Sequence, residues 1–111
     1  MHRITVDSNG PVRILVAEGE LDAFVAGDLT AAFEEIGESS QVVADLTAVS
    51  FLDSTALGLV VRGVRRLGEH GAGVRVVLPL GTAAKIFELT TLDRVLPVSG
   101  SRDEALAELR D

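Results

Sequence analysis

The 111-residue chain is predicted to form one α/β domain, a mostly parallel mixed β-sheet of about five strands with about four α-helices. Three observations predict it. Short runs rich in β-branched residues alternate with stretches whose apolar residues recur at helical spacing. The first two strand-like runs are separated only by turn formers, so they pair as an antiparallel hairpin. The later ones are separated by helices, which implies crossovers and parallel pairing.

Each element has its own signal. Ile4-Thr5-Val6 reads as a short strand, and Asp7-Ser8-Asn9-Gly10-Pro11 as a turn. Val12 to Glu18 is a longer strand, and Gly19-Glu20-Leu21-Asp22 a polar turn with Leu21 anchored inward. From Ala23 to about Glu38 the pattern is helical, with Val25, Leu29, Ala32, Phe33 and Ile36 on one face and Gly37 weakening the end. Val42-Val43-Ala44-Asp45-Leu46 is too short for a buried helix and reads as the central strand. Thr47 to Leu52 continues as a connection, with Phe51 and Leu52 turned into the core. Asp53-Ser54-Thr55 opens the next helix, because each of these side chains can accept an orphan amide proton. At about 100° per residue, Leu57, Val60, Val61, Val64 and Leu67 form a core-facing stripe, while Thr55, Leu59, Arg62 and Arg66 lie opposite.

The segment Gly68-Glu69-His70-Gly71-Ala72-Gly73 stops that helix, and Val74 to Leu78 is a strand closed by Pro79. Gly81-Thr82 opens a third helix, with Ile86 and Leu89 or Phe87 facing in, and Arg94 to Val98 is a last short strand. Ser101-Arg102-Asp103-Glu104 is a capping box for a final helix through Leu106 and Leu109. There is no internal repeat, linker or low-complexity segment.

Composition narrows the function. Hydrophobic residues at 47% with 24% charged residues indicate an ordinary folded domain. The formal charge of −7 opposes a phosphate-backbone binder, so nucleic acid is not expected as a partner. No apolar run is long enough to span a membrane, and His2 and Arg3 lead straight into a strand rather than a signal peptide. The absence of cysteine removes disulfide and thiolate chemistry and suits the cytoplasm.

Ser54 is the residue with the most to offer. A hydroxyl in the first helical turn is exposed where the connection leaves the sheet, and a phosphate on it would meet free amides and the positive end of the helix dipole. Its plainest role would be an N-cap, worth roughly 1 kcal/mol. A nucleophilic serine would need a base. The candidates are His2, near a terminus expected to fray, and His70, past the far end of a helix about 16 residues × 1.5 Å long. Glu20, Asp22 and Asp53 gather at one end of the sheet and could hold Mg²⁺. Caps and a recognition surface are the weightier reading of those three acids. A phospho-aspartate receiver would want a lysine after its fifth strand, but the single lysine, Lys85, falls inside the third helix. Gly71-Ala72-Gly73 follows a helix instead of preceding one and is a poor phosphate cradle. Leu59, opposite the core stripe and flanked by Thr55, Gly58 and Arg62, reads as the centre of a docking patch.

Asp45-Leu46, followed by Val49-Ser50-Phe51-Leu52-Asp53-Ser54-Thr55-Ala56-Leu57-Gly58, closely resembles the signature of the STAS family, in its anti-sigma factor antagonist branch. Gly19-Glu20-Leu21-Asp22 belongs to the same resemblance, which covers essentially the whole chain. Ala56 departs from it where the family often has glycine; alanine is small and a better helix former. The resemblance implies a STAS fold, no catalytic activity and no cofactor. It also implies that Ser54 is phosphorylated by a serine/threonine protein kinase that is itself an anti-sigma factor, and that a serine phosphatase reverses this. The unmodified domain would bind the kinase and free the sigma factor for transcription. Two other readings stay open: a STAS scaffold subunit of a signalling complex or transporter-associated regulatory module, and, from a different class, a small nucleotide- or lipid-binding domain.

Overall fold

The computed structural model describes residues 2–37, 41–79 and 96–109. Among the described residues, five strands form one sheet in sequential order: β1 (His2–Asn9), β2 (Val12–Leu21), β3 (Gln41–Leu52), β4 (Gly73–Val77) and β5 (Val98–Ser99). β1 and β2 are antiparallel, and each later neighbour is parallel, as the order of elements predicted. The described helices are α1 (Ala26–Ile36), α2 (Ser54–Glu69) and α3 (Arg102–Leu109), with a short 3₁₀ turn at Ala23–Val25. The predicted third helix from Gly81, with Lys85, and the start of the last strand at Arg94 lie outside the described residues.

Strand length is where expectation and structure part. The first strand runs from His2 to Asn9, so the turn shrinks to Gly10 and Pro11, with Asn9 opposite Val12 and Gly10 at φ 59°. Gly19, Glu20 and Leu21 are not a turn but the end of β2, and Thr47 to Leu52 is not a connection but the second half of β3. Two irregularities hide this. Between the Val16–Asp45 and Glu18–Ala48 pairs, and again between Gly19–Val49 and Glu20–Phe51, β3 carries one residue more than β2. Such bulges break the period of two that marks a strand in sequence. Gly19 sits at the second bulge with φ 82°, a conformation natural to glycine. The last strand begins only at Val98, because Leu96 is still in the approach to the sheet and buried in the core.

Residues on one face of the sheet, including Leu15, Ala17, Leu21, Val42, Ala44, Leu46, Val49 and Leu52, pack against α1 and α2. The helices contribute Leu29, Ala32 and Ile36 from α1, and Ala56, Leu57, Val60, Val64 and Leu67 from α2. Val61, predicted in the stripe, is only half-buried, and Ala56 takes its place. Burying each such leucine or valine is worth about 1.5–3 kcal/mol before entropy is counted. Gly63 lets the two helices approach closely, since a Cβ there would lie 2.6 Å from the Phe33 ring.

The other face carries Val12, Ile14, Val43 and Val77 under Ala105, Leu106 and Leu109 of α3. The predicted Ser101–Glu104 pair starts this helix with its return bond displaced by one residue: the Ser101 hydroxyl accepts the Glu104 N–H at 3.1 Å, while the Glu104 carboxylate accepts the N–H of Gly100, the residue before the N-cap, also at 3.1 Å. Asp45, 7% exposed, points to the same side and holds α3 down. It accepts Arg102 Nε at 2.8 Å, the Thr47 N–H at 3.0 Å and the Thr47 hydroxyl at 2.5 Å. Burial by itself raises the Asp45 carboxyl, but the Thr47 bonds and Arg102 outweigh it, so the group sits below its ordinary value.

A carboxyl lowered in the folded state stabilises the protein fully above its unfolded value near pH 4, and that contribution fades as pH falls through the folded value. Asp45→Asn is therefore expected to cost about 2–3 kcal/mol at pH 7. Urea unfolding at pH 7 and pH 3 should show the gap between variant and parent narrowing at the lower pH. An equal gap at both would mean that the charge of Asp45 contributes nothing.

Candidate functional site

β2 and β3 end side by side, at the Leu21–Leu52 pair, and leave the sheet together. β2 runs into the Ala23–Val25 turn and β3 into α2. Asp53 ties the two exits. Its backbone N–H donates to the Leu21 carbonyl at 3.0 Å. Its side chain then accepts twice: Oδ1 takes the Ala56 N–H of α2 at 2.9 Å, and Oδ2 takes the Ala23 N–H of the 3₁₀ turn at 2.9 Å. Asp22 caps that turn by accepting the Phe24 N–H at 3.0 Å. Of the three cap-forming residues at the head of α2, Asp53 is the N-cap, with extended φ and ψ of −88° and 174°.

Ser54 is thereby released from capping. It is the first residue of α2 and exposed, as is Thr55. Its hydroxyl stands at the positive end of a 16-residue helix, where added negative charge is electrostatically favoured. Glu20 is exposed and pairs with Phe51 across the strand ends, so Glu20, Asp22, Asp53, Ser54 and Thr55 share one end of the sheet. Among the described residues no cluster of His, Asp or Glu could hold a metal ion. His2 is not frayed: it begins β1, and its Nε2 lies 2.9 Å from Asp28 of α1. His70 caps the far end of α2, with Nδ1 2.7 Å from the Arg66 carbonyl.

Gly58, Leu59 and Arg62 continue along α2. Arg62 is exposed and folds back over Gly58, where a Cβ would lie 3.5 Å from Nη1. Leu59 corrects the helical-wheel expectation of an exposed side chain with no core role. It is half-buried and packs against the core, because α1 covers that flank of α2. It lines a groove of about 860 Å³ between the two helices, together with Thr30, Phe33, Arg62, Gly63 and Arg66.

Two aromatic residues complete the end of the sheet. Phe51, expected in the core, is 49% exposed, because the bulge in β3 turns it outward while Val49 and Leu52 stay inside. Phe24, which the helical pattern does not single out, is 95% exposed. Its one sequence signal is its place off the Val25–Leu29–Ala32–Ile36 stripe.

The model of the STAS domain matches residues 3–105. The chain belongs to the STAS domain family. Its relatives include the anti-sigma-B factor antagonist of Listeria monocytogenes, 30% identical over 95 residues that cover 84% of this chain and 82% of that protein. The crystal structure of an anti-sigma factor antagonist from Mycobacterium paratuberculosis superposes on this STAS domain with a TM-score of 0.89 at 30% identity, covering 100% of this chain and 96% of that one. The phosphorylated form of SpoIIAA, a Bacillus cell fate determinant, shares the fold at 20% identity, with a TM-score of 0.67 over 96% of this chain and 98% of that one.

If Asp53 holds both exits, Asp53→Ala orphans the Ala23 and Ala56 amides together and should destabilise the STAS domain by about 2 kcal/mol, the upper range for a lost cap. Denaturant unfolding measures this. A loss below about 0.5 kcal/mol, the ordinary effect of a surface change, would mean that the two bonds do not hold the site.

Proposed function

We propose that this STAS domain is an anti-sigma factor antagonist switched by phosphorylation of Ser54. The observation that carries the reading is an exposed serine at the head of α2 whose capping role is taken by the neighbouring aspartate. The names of the Listeria and Mycobacterium relatives support it. Unphosphorylated, the domain binds a serine/threonine protein kinase that acts as an anti-sigma factor, and the sigma factor is set free. The kinase then transfers phosphate from its own ATP to Ser54, the complex separates, and a serine phosphatase resets the cycle. The domain is substrate and binding partner, not an enzyme, and needs no cofactor. No described helix is long and apolar enough to cross a membrane; the reading places the protein in the cytoplasm with its partners.

The partner-facing surface comprises Glu20, Asp22, Asp53 and Thr55 around the serine, with Gly58, Leu59 and Arg62 along α2. Phosphate adds about −1.5 to −2 charges beside a rim that already carries three carboxylates. The helix N-terminus offsets part of this within the domain. A docked partner has no such compensation, and a loss of about 1–3 kcal/mol is enough to release it.

The direct test captures the kinase from native lysate on Ser54→Ala, purifies it, and treats the parent chain with it and ATP. Site-resolved mass spectrometry should find phosphate on Ser54 and none on the Ser54→Ala variant. Phosphate mainly on Thr55, or persisting in the variant, would overturn the assignment.

A further inference from the structure

An almost fully exposed phenylalanine on a tightly held turn is an unusual use of an aromatic side chain, and Phe24 directly follows Ala23, whose amide is held by the neighbour of Ser54, Asp53. Every other feature of its turn is pinned. Val25 is 1% exposed and anchors the turn in the core. The Val25 N–H reaches the Asp22 carbonyl at 3.1 Å, the Phe24 N–H reaches the Asp22 carboxylate at 3.0 Å, and the Ala23 N–H reaches Asp53 Oδ2 at 2.9 Å. The ring is displayed on a backbone that has little freedom left to lose. That is the condition under which an aromatic side chain contributes most to an interface, because the ordering cost has been met in advance. Phe51, half-exposed two residues before Asp53, widens the apolar surface on the same end of the sheet.

We propose that Phe24 is the apolar anchor by which the kinase holds this domain, and that Asp53 carries the state of Ser54 to it. This rests on the reading of Ser54 as the phosphorylated switch. The occupant follows from geometry: Asp53 is bonded to the residue before Phe24 and is adjacent in sequence to Ser54. A kinase that encloses the Ser54 hydroxyl in its catalytic cleft therefore approaches the end of the sheet that carries the Ala23–Val25 turn. The partner surface facing Phe24 is an apolar pocket, with donors at its rim for Glu20 and Asp22.

The same connection supplies a route for release. The two oxygens of Asp53 serve two different elements, α2 and the turn. A phosphate on the next residue repels that carboxylate and competes for the amides at the head of α2. Asp53 then loosens its hold on Ala23, and Phe24 loses its fixed position while the sheet stays intact.

Two measurements on the intact chain test this. In the first, the affinity of the purified kinase is measured for the parent, Phe24→Ala and Ser54→Ala. Phe24→Ala should bind at least about tenfold more weakly with an unchanged thermal midpoint, since the side chain makes no core contact. Ser54→Ala, which keeps the Phe24 turn, should lose less affinity than Phe24→Ala does. Equal binding of Phe24→Ala and the parent overturns the anchor, whereas a kinase that binds none of the three overturns the switch reading itself. In the second, phosphoserine is encoded at position 54 and amide exchange is followed without any partner. Faster exchange at Ala23, with shifts at Phe24 and Val25 and none in β2 or β3, is expected. Unchanged signals from the turn would show that Asp53 transmits nothing.

Discussion

The carboxylate of Asp53 is the point on which this end of the molecule depends. It is the acceptor shared by the head of α2 and the turn after β2, 2.9 Å from an amide of each. The carboxylate gives each amide an oxygen of its own and a full negative charge, whereas asparagine would have one neutral oxygen for both and serine a single hydroxyl. Because the aspartate takes the cap, the serine beside it is left outward at the positive end of the helix, where a charged group is tolerated without strain in the backbone. The site thus has a fixed frame with an exposed serine at its edge.

The frame itself relies on how the sheet holds α2. β3 lies between β2 and β4, and its alternation sends Val42, Ala44 and Leu46 towards α1 and α2 and Val43 and Asp45 towards α3. The close approach at Gly63, where the Phe33 ring fills the place of a side chain, sets α2 against α1. On the far side, Asp45 and Arg102 secure α3, and Arg75 adds bonds to Ser99, the Val98 carbonyl and Glu108. Both faces of the central strand are therefore covered near its start, while its far end extends past Asp45 to present the serine. Structural and functional demands are separated along one strand.

Much of this was legible in the residues. The hairpin, the parallel order that follows, the core stripe of α2 and the Ser101–Glu104 box all follow from local periodicity and capping chemistry, which act over a few residues. The family signature around Asp53-Ser54 was also readable, and it located the exposed serine. What could not be read depended on partners distant in sequence. Thr47 to Leu52 looked like a connection because two bulges disrupt its alternation, and a bulge is defined only against the neighbouring strand. Phe51 was assigned to the core for the same reason. Leu59 looked exposed because a helical wheel carries no information about α1, which packs on one flank. The second bond of Asp53, to a residue 30 positions away, has no local signal at all.

On the proposed reading, phosphate at Ser54 acts locally, by its charge beside Asp53 and at the interface, and leaves the sheet intact. The most direct check is a calorimetric titration of the purified kinase, with nucleotide bound, into two forms of the same chain, one with serine and one with phosphoserine at position 54. The serine form is expected to bind, and the phosphoserine form to bind at least about fivefold more weakly, as a coupling of about 1–3 kcal/mol requires. Equal affinities for the two forms would contradict the switch.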